Sequence, residues 1–95
     1  ARTTAKMLEK HVVIRNKLGL HARPSALLAK TANLFRSSIM LTNGKRTVDA
    51  KSILGLMTMA LPCGTELIIE TDGPDEIAAA ERIAELFENR FGEAE

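Results

Sequence analysis

The pattern of apolar residues predicts a two-layer α+β sandwich with the element order β-α-β-β-α-β-α. Three observations carry this expectation. Short runs near residues 8–15, 39–42, 48–50 and 66–71 have the β-branched, alternating character of half-buried strands. Segments following Pro24 and Glu76 repeat apolar residues at helical spacing. Between the second and third strands lies Asn43-Gly44, a strong hairpin signal because both residues tolerate positive φ in a type I′ turn.

Taken in order, the first strand contains Val12-Val13-Ile14, with Val12 and Ile14 on one face. The segment Asn16-Lys17-Leu18-Gly19 then breaks the pattern. Pro24 suits the first turn of a helix, where its missing N–H costs nothing. Ser25, Leu28, Ala29, Ala32 and Phe35 follow at helical spacing, which predicts a helix over 22–34 with His21 at its N-terminal edge. Ile39 and Leu41 point inward from the second strand, and Val48 and Ala50 from the third. Ser52 precedes the run Ile53-Leu54-Gly55-Leu56-Met57-Thr58-Met59 and is an N-cap candidate. That second helix must be short, because Pro62 and Gly64 soon interrupt it. It is also apolar nearly all round, so part of it should form an exposed patch. Leu67 and Ile69 face inward from the fourth strand. The segment Gly73-Pro74-Asp75-Glu76 opens the last helix, with acidic residues where the helix dipole favours them. Ile77, Ala80, Ile83, Ala84, Phe87 and Phe91 form its apolar stripe.

Composition narrows the function. The chain has 95 residues, 45% hydrophobic and 26% charged, with a formal net charge of +1. These values fit one soluble globular domain. The near-zero charge argues against nucleic-acid binding, which favours a basic stripe. There is no Trp or Tyr and there are three Phe, too few for a base-stacking surface. The single cysteine, Cys63, cannot form an internal disulfide. No apolar run approaches the roughly 20 residues of a membrane span. The expected setting is therefore cytoplasmic, away from membranes. Residues 1–7 read as a disordered extension or a cloning remnant, and residues 8–95 as the functional domain. His11, His21 and Cys63 lack metal-ligand spacing, so neither metal nor cofactor is expected.

His21 is the residue with chemical promise. A neutral imidazole is a good nucleophile near pH 7. At a helix N-terminus it meets free backbone N–H groups and the positive end of the dipole, which favour an anion such as a phosphoryl group. Arg23 could add a charge-assisted contact to phosphoryl oxygens. On these grounds alone the signal is weak, because a lone histidine at a helix start is more often a capping or surface residue.

Two motifs change the balance. The segment Gly19-Leu20-His21-Ala22-Arg23-Pro24-Ser25-Ala26 resembles the phosphohistidine signature of the histidine-containing phosphocarrier (HPr) family. About thirty residues later, Ala50-Lys51-Ser52-Ile53-Leu54-Gly55-Leu56-Met57 resembles the regulatory-serine region of the same family. The resemblance implies an open-faced β-sandwich, a four-stranded antiparallel sheet with three helices on one face. It also implies a phosphocarrier of the phosphoenolpyruvate-dependent sugar phosphotransferase system, a relay and not an enzyme acting on a free substrate. His21 would accept the phosphoryl group through Nδ1 from enzyme I and pass it to enzyme IIA domains. The backbone amides of Ala22 and Arg23, with the Arg23 side chain, would hold the group. Ser52 would be the target of an HPr kinase/phosphorylase, although a plain N-cap serves as well. Ile53, Leu54 and Met57 would form the docking patch, and a monomer is the default state. Two other functions compete: a regulatory carrier of a nitrogen-related branch, and a non-catalytic α+β binding domain in which His21 is incidental.

Overall fold

The computed structural model describes residues 7–95. The expected extension over residues 1–7 lies outside the described residues except for Met7, which is exposed. Four strands and three α-helices follow in the predicted order: β1 (Leu8–Val13), α1 (Ala22–Ala32), β2 (Ser38–Thr42), β3 (Thr47–Asp49), α2 (Ile53–Met59), β4 (Glu66–Asp72) and α3 (Glu76–Glu88). A 3₁₀ turn, Arg90–Gly92, closes the fold. The sheet is antiparallel throughout, with spatial order β1-β4-β2-β3.

Strand alternation decides which face is covered. Val12, Ile39, Leu41, Val48, Leu67 and Ile69 are buried in the core, where Leu28, Leu56, Ile83 and Phe87 of the helices join them. The residues between them face outward. The pair Glu9 and Glu70, directly opposed on β1 and β4, illustrates the open face: like charges so placed are tolerable only where water screens them. Burying each large aliphatic or Phe side chain contributes roughly 1.5–3 kcal/mol, so these residues supply the main driving force.

Four expectations need correction. First, α1 ends at Ala32, short of residue 34. The Asn33 side chain donates to Ala29 O at 2.8 Å and to Lys51 O at 3.1 Å, so it competes for the last carbonyls and ties the helix end to the loop before α2. Second, the β2–β3 hairpin forms, but not through a type I′ turn. Gly44 has φ +92° while Asn43 is not in the positive-φ region. The Asn43 Oδ1 instead accepts from the amides of Lys45 and Arg46 at 2.9 and 2.8 Å, which makes a wider loop over 43–46. Third, Ile77 is 63% exposed. It sits in the first turn of α3 beside the start of edge strand β1, where no further strand among the described residues covers it. Ala79, which lay outside the predicted stripe, is buried instead. Fourth, Phe91 is buried as expected but lies beyond α3, in the 3₁₀ turn.

At the other end of the molecule, Asp75 clamps two loops together. Its carboxylate accepts from the Ser37 hydroxyl and from the amides of Ser37 and Arg36, the amide contacts being 2.9 and 3.0 Å. These bonds, the Ser37 hydroxyl foremost, lower its pKa from 3.8 to about 2. Gly73 lets the loops approach: a Cβ there would stand 2.6 Å from Ser37 Cα.

Candidate functional site

The loop before α1 is held on both sides. Leu20 N–H donates to Leu61 O at 2.9 Å, and Gly19 N–H to Asn16 O at 3.0 Å. Gly19 has φ +73°, and a Cβ on it would lie 2.4 Å from Leu61 O, so only glycine fits. The buried Ser25 hydroxyl donates back to Leu20 O at 3.2 Å. These contacts fix where the chain enters α1 and therefore where His21 stands.

His21 is the N-cap residue of α1, with φ −80° and ψ −170°. Its carbonyl accepts the first helical bond, from Ser25 N–H at 3.0 Å. Its side chain makes no capping bond. Pro24 has no N–H, so the unpaired donors of the first turn are the amides of Ala22 and Arg23. Neither donates to a protein acceptor among the described residues. The result is a half-exposed imidazole beside two free N–H groups at the positive end of a helix.

Motif reading missed one residue of this site. Glu93, 72 positions away in sequence, accepts from or shares a proton with His21 Nε2 at 2.7 Å. The same carboxylate accepts from Arg23 Nε at 3.0 Å and from Asn16 Nδ2 at 2.9 Å. Its side chain is 16% exposed. The hydrogen bond from buried Asn16, reinforced by those from Arg23 and His21, holds its carboxyl below the ordinary value of 4.5, against the opposing effect of desolvation. Arg23 Nη2 donates to Phe91 O, so the guanidinium grips the tail at two points.

A turn of unusual backbone delivers Glu93. Arg90, Phe91 and Gly92 have φ of +53°, +54° and +78°. A non-glycine residue in this region costs on the order of 1–3 kcal/mol. Phe91 offsets the strain by burying its ring, 1% exposed, in an edge-to-face contact with Phe87 at 4.9 Å between centroids. Lys17 N–H then donates to Glu95 O at 2.8 Å and pins the last residues against the His21 loop. Gly92, just past the apolar stripe, was the available sequence signal of a left-handed helix exit; nothing in the spacing indicated where the exit leads.

The other predicted residues lie on or around α2. Ser52 is exposed, and its Oγ accepts from Gly55 N–H at 3.0 Å as an N-cap. Leu56 and Met59 are buried, whereas Ile53, Leu54 and Met57 are 44%, 78% and 44% exposed. Met57 joins Leu18, Leu20, Ala60 and Pro62 in lining a shallow apolar groove that reaches His21. The fold thus brings His21 and Met57 to one surface. His11 and Cys63 are exposed, and neither lines the groove. No metal-binding cluster occurs among the described residues, and none of their helices is long and apolar enough to cross a membrane.

The fold is thus an open-faced sandwich with a histidine at the start of its first helix, next to free amides that suit an anion. Comparison with known proteins makes this specific. Residues 8–89 match the family model described as "PTS HPr component phosphorylation site". The chain is 48% identical over 87 residues to the phosphocarrier protein HPr of Treponema pallidum, covering 92% of this chain and 99% of that one. The crystal structure of HPr-C-His from Thermoanaerobacter tengcongensis superposes with a TM-score of 0.89 at 39% identity, covering 94% and 100% of the two chains. An HPr dimer from the same organism gives 0.73 at 36% identity, covering 98% and 99%. The chain belongs to the HPr family. It is a phosphocarrier of the phosphotransferase system, and it is not an enzyme.

Proposed function

We propose that His21 is the residue that carries the phosphoryl group, accepting it on Nδ1 from phosphorylated enzyme I and giving it to enzyme IIA domains in sugar uptake. One observation carries this reading: an imidazole released from capping stands beside the unpaired amides of Ala22 and Arg23 at a helix N-terminus. The amides offer hydrogen bonds to phosphoryl oxygens, and the dipole favours their charge. Arg23 adds a positive charge next to them. A carrier of this kind needs alignment and charge stabilisation more than bond-making machinery of its own.

Leu54, Met57 and, at the margin, Ile53 form the docking surface for both protein partners. Methionine suits a surface that must accept more than one shape. Ser52 is a second phosphorylation site, addressed by an HPr kinase/phosphorylase. A phosphate there would bring about −1.5 to −2 charge beside the docking residues and discourage an acidic partner. The carrier works as a single copy in the cytoplasm.

The deciding experiment incubates the protein with enzyme I and labelled phosphoenolpyruvate. The expected result is an acid-labile label on the protein that is absent from His21→Ala. An unlabelled native protein, or an equally labelled His21→Ala, would overturn the assignment. Labelling by a nitrogen-type enzyme I alone would move the carrier to that regulatory branch.

A further inference from the structure

We propose that Glu93 is a positioning residue for phosphotransfer: it holds His21 as the Nε2–H tautomer, so that the lone pair of Nδ1 is free to attack phosphorus. The inference rests on the reading of His21 as the phosphoryl acceptor and deepens it.

Three observations support it. The carboxylate oxygen is 2.7 Å from Nε2, a charge-assisted distance. Bonds from Asn16, Arg23 and His21 keep that carboxyl ionised at neutral pH, so it accepts and Nε2 must donate. No protein group among the described residues bonds Nδ1. A ring with one nitrogen tied to an anion and the other open has its tautomer chosen for it.

The fold also commits strain to this contact. Two non-glycine residues, Arg90 and Phe91, adopt positive φ in the turn that leads through Gly92 to Glu93, and the buried Phe91 ring anchors it. Asn16, fully buried, positions the carboxylate from behind while its other Nδ2 bond reaches Gly19 O at 2.6 Å. Glu93 and the His21 loop are therefore set by the same side chain.

The transfer then balances as follows. The Nδ1 lone pair forms the N–P bond. The donor's bond to phosphorus breaks, and its electron pair leaves with the donor. Nδ1 bore no proton, so none has to depart. Because Nε2 keeps its proton, the ring takes on positive charge as the bond forms, and Glu93 faces that charge. When the phosphoryl group moves on, the ring recovers the same neutral tautomer, ready for another cycle. The arrangement of carboxylate, imidazole and reacting atom follows the logic of a catalytic triad, with the imidazole as the nucleophile.

Nitrogen-15 NMR of the imidazole reads the tautomer directly. It should be recorded at alkaline pH, so that the tautomer and not the imidazolium is read. The native protein should show a protonated Nε2 and a bare Nδ1. In Glu93→Ala the two tautomers should mix, and phosphorylation by enzyme I should slow by roughly tenfold or more. Glu93→Gln offers a carbonyl acceptor without charge, so it should retain the tautomer and recover part of the rate. A merely structural role would leave the ring's tautomer unchanged in a folded Glu93→Ala protein. A native ring protonated on Nδ1, or a folded Glu93→Ala with native tautomer and native rate, would overturn the proposal. These results are separate from a failure of the His21 assignment, which would show as no label on the native protein.

Discussion

Arg23 has two masters. Without phosphate, its guanidinium spans Glu93 and the carbonyl of Phe91, so it holds the tail in place. Its side chain is nonetheless half exposed, and a phosphoryl dianion on His21 would compete for it with more charge than one carboxylate. Arg23→Glu should remove this contact and set a second carboxylate beside Glu93. Phosphorylation by enzyme I should fall by about tenfold to a hundredfold, in line with ~1.5–3 kcal/mol for a charged hydrogen bond. The fold should survive, because no core side chain is touched. Rapid-quench kinetics with thermal melting checks both halves, and an unchanged rate would remove Arg23 from the site.

Among the elements, α2 is the one whose form is shaped most by its neighbours. Seven residues are too few for a helix to be stable alone. Ser52 caps its start, and Ala60 closes its end in the left-handed conformation, with φ +47°. Leu56 and Met59 bind it to the core, which leaves Ile53, Leu54 and Met57 outside. An apolar face kept in water in this way costs solubility, and the docking role proposed for it gives a reason to keep it. Ser52→Asp keeps a capping oxygen, so α2 should stay folded. The added charge should weaken phosphorylation by enzyme I, seen as a rise in the carrier concentration needed for half-maximal rate. Undiminished phosphorylation would argue against an electrostatic switch at this helix.

At the scale of the whole molecule, the Asp75 clamp joins the loop before β2 to the start of α3, far from His21 in sequence. Its folded-state pKa of about 2 lies below the ordinary 3.8. A depressed carboxyl contributes stability that is fully present above the unfolded value and is lost as pH falls through the folded one. Melting temperature should therefore decline between about pH 4 and pH 2, and Asp75→Asn should flatten that decline. An equally steep acid profile in Asp75→Asn would assign the acid sensitivity elsewhere. Glu93 acts in the same direction from the other end of the molecule, because its carboxyl is lowered as well.

What was readable in the residues was what depends on local order. Alternation placed Val12, Ile39, Leu41, Leu67 and Ile69 in the core, because strand periodicity and one-sided burial are both properties of a short segment. The HPr motifs located His21 and Ser52, since helix-start chemistry needs only a few neighbouring residues. Ile77 was misplaced because an apolar stripe shows which way a helix faces but not where the sheet beneath it ends. The Asn43-Gly44 turn differed because a side-chain bond to two amides competed with the turn that glycine allows. Glu93 was invisible for a deeper reason. Its place at His21 depends on three successive positive φ values, on the burial of Phe91 and on a side-chain bond from Asn16, all of which exist only once the chain has folded. The sequence by itself determined the order of the elements and the histidine at the head of the first helix. Tertiary structure decided which nitrogen of that histidine is held and which is left open, because a carboxylate 72 residues away reaches it only through the packed core.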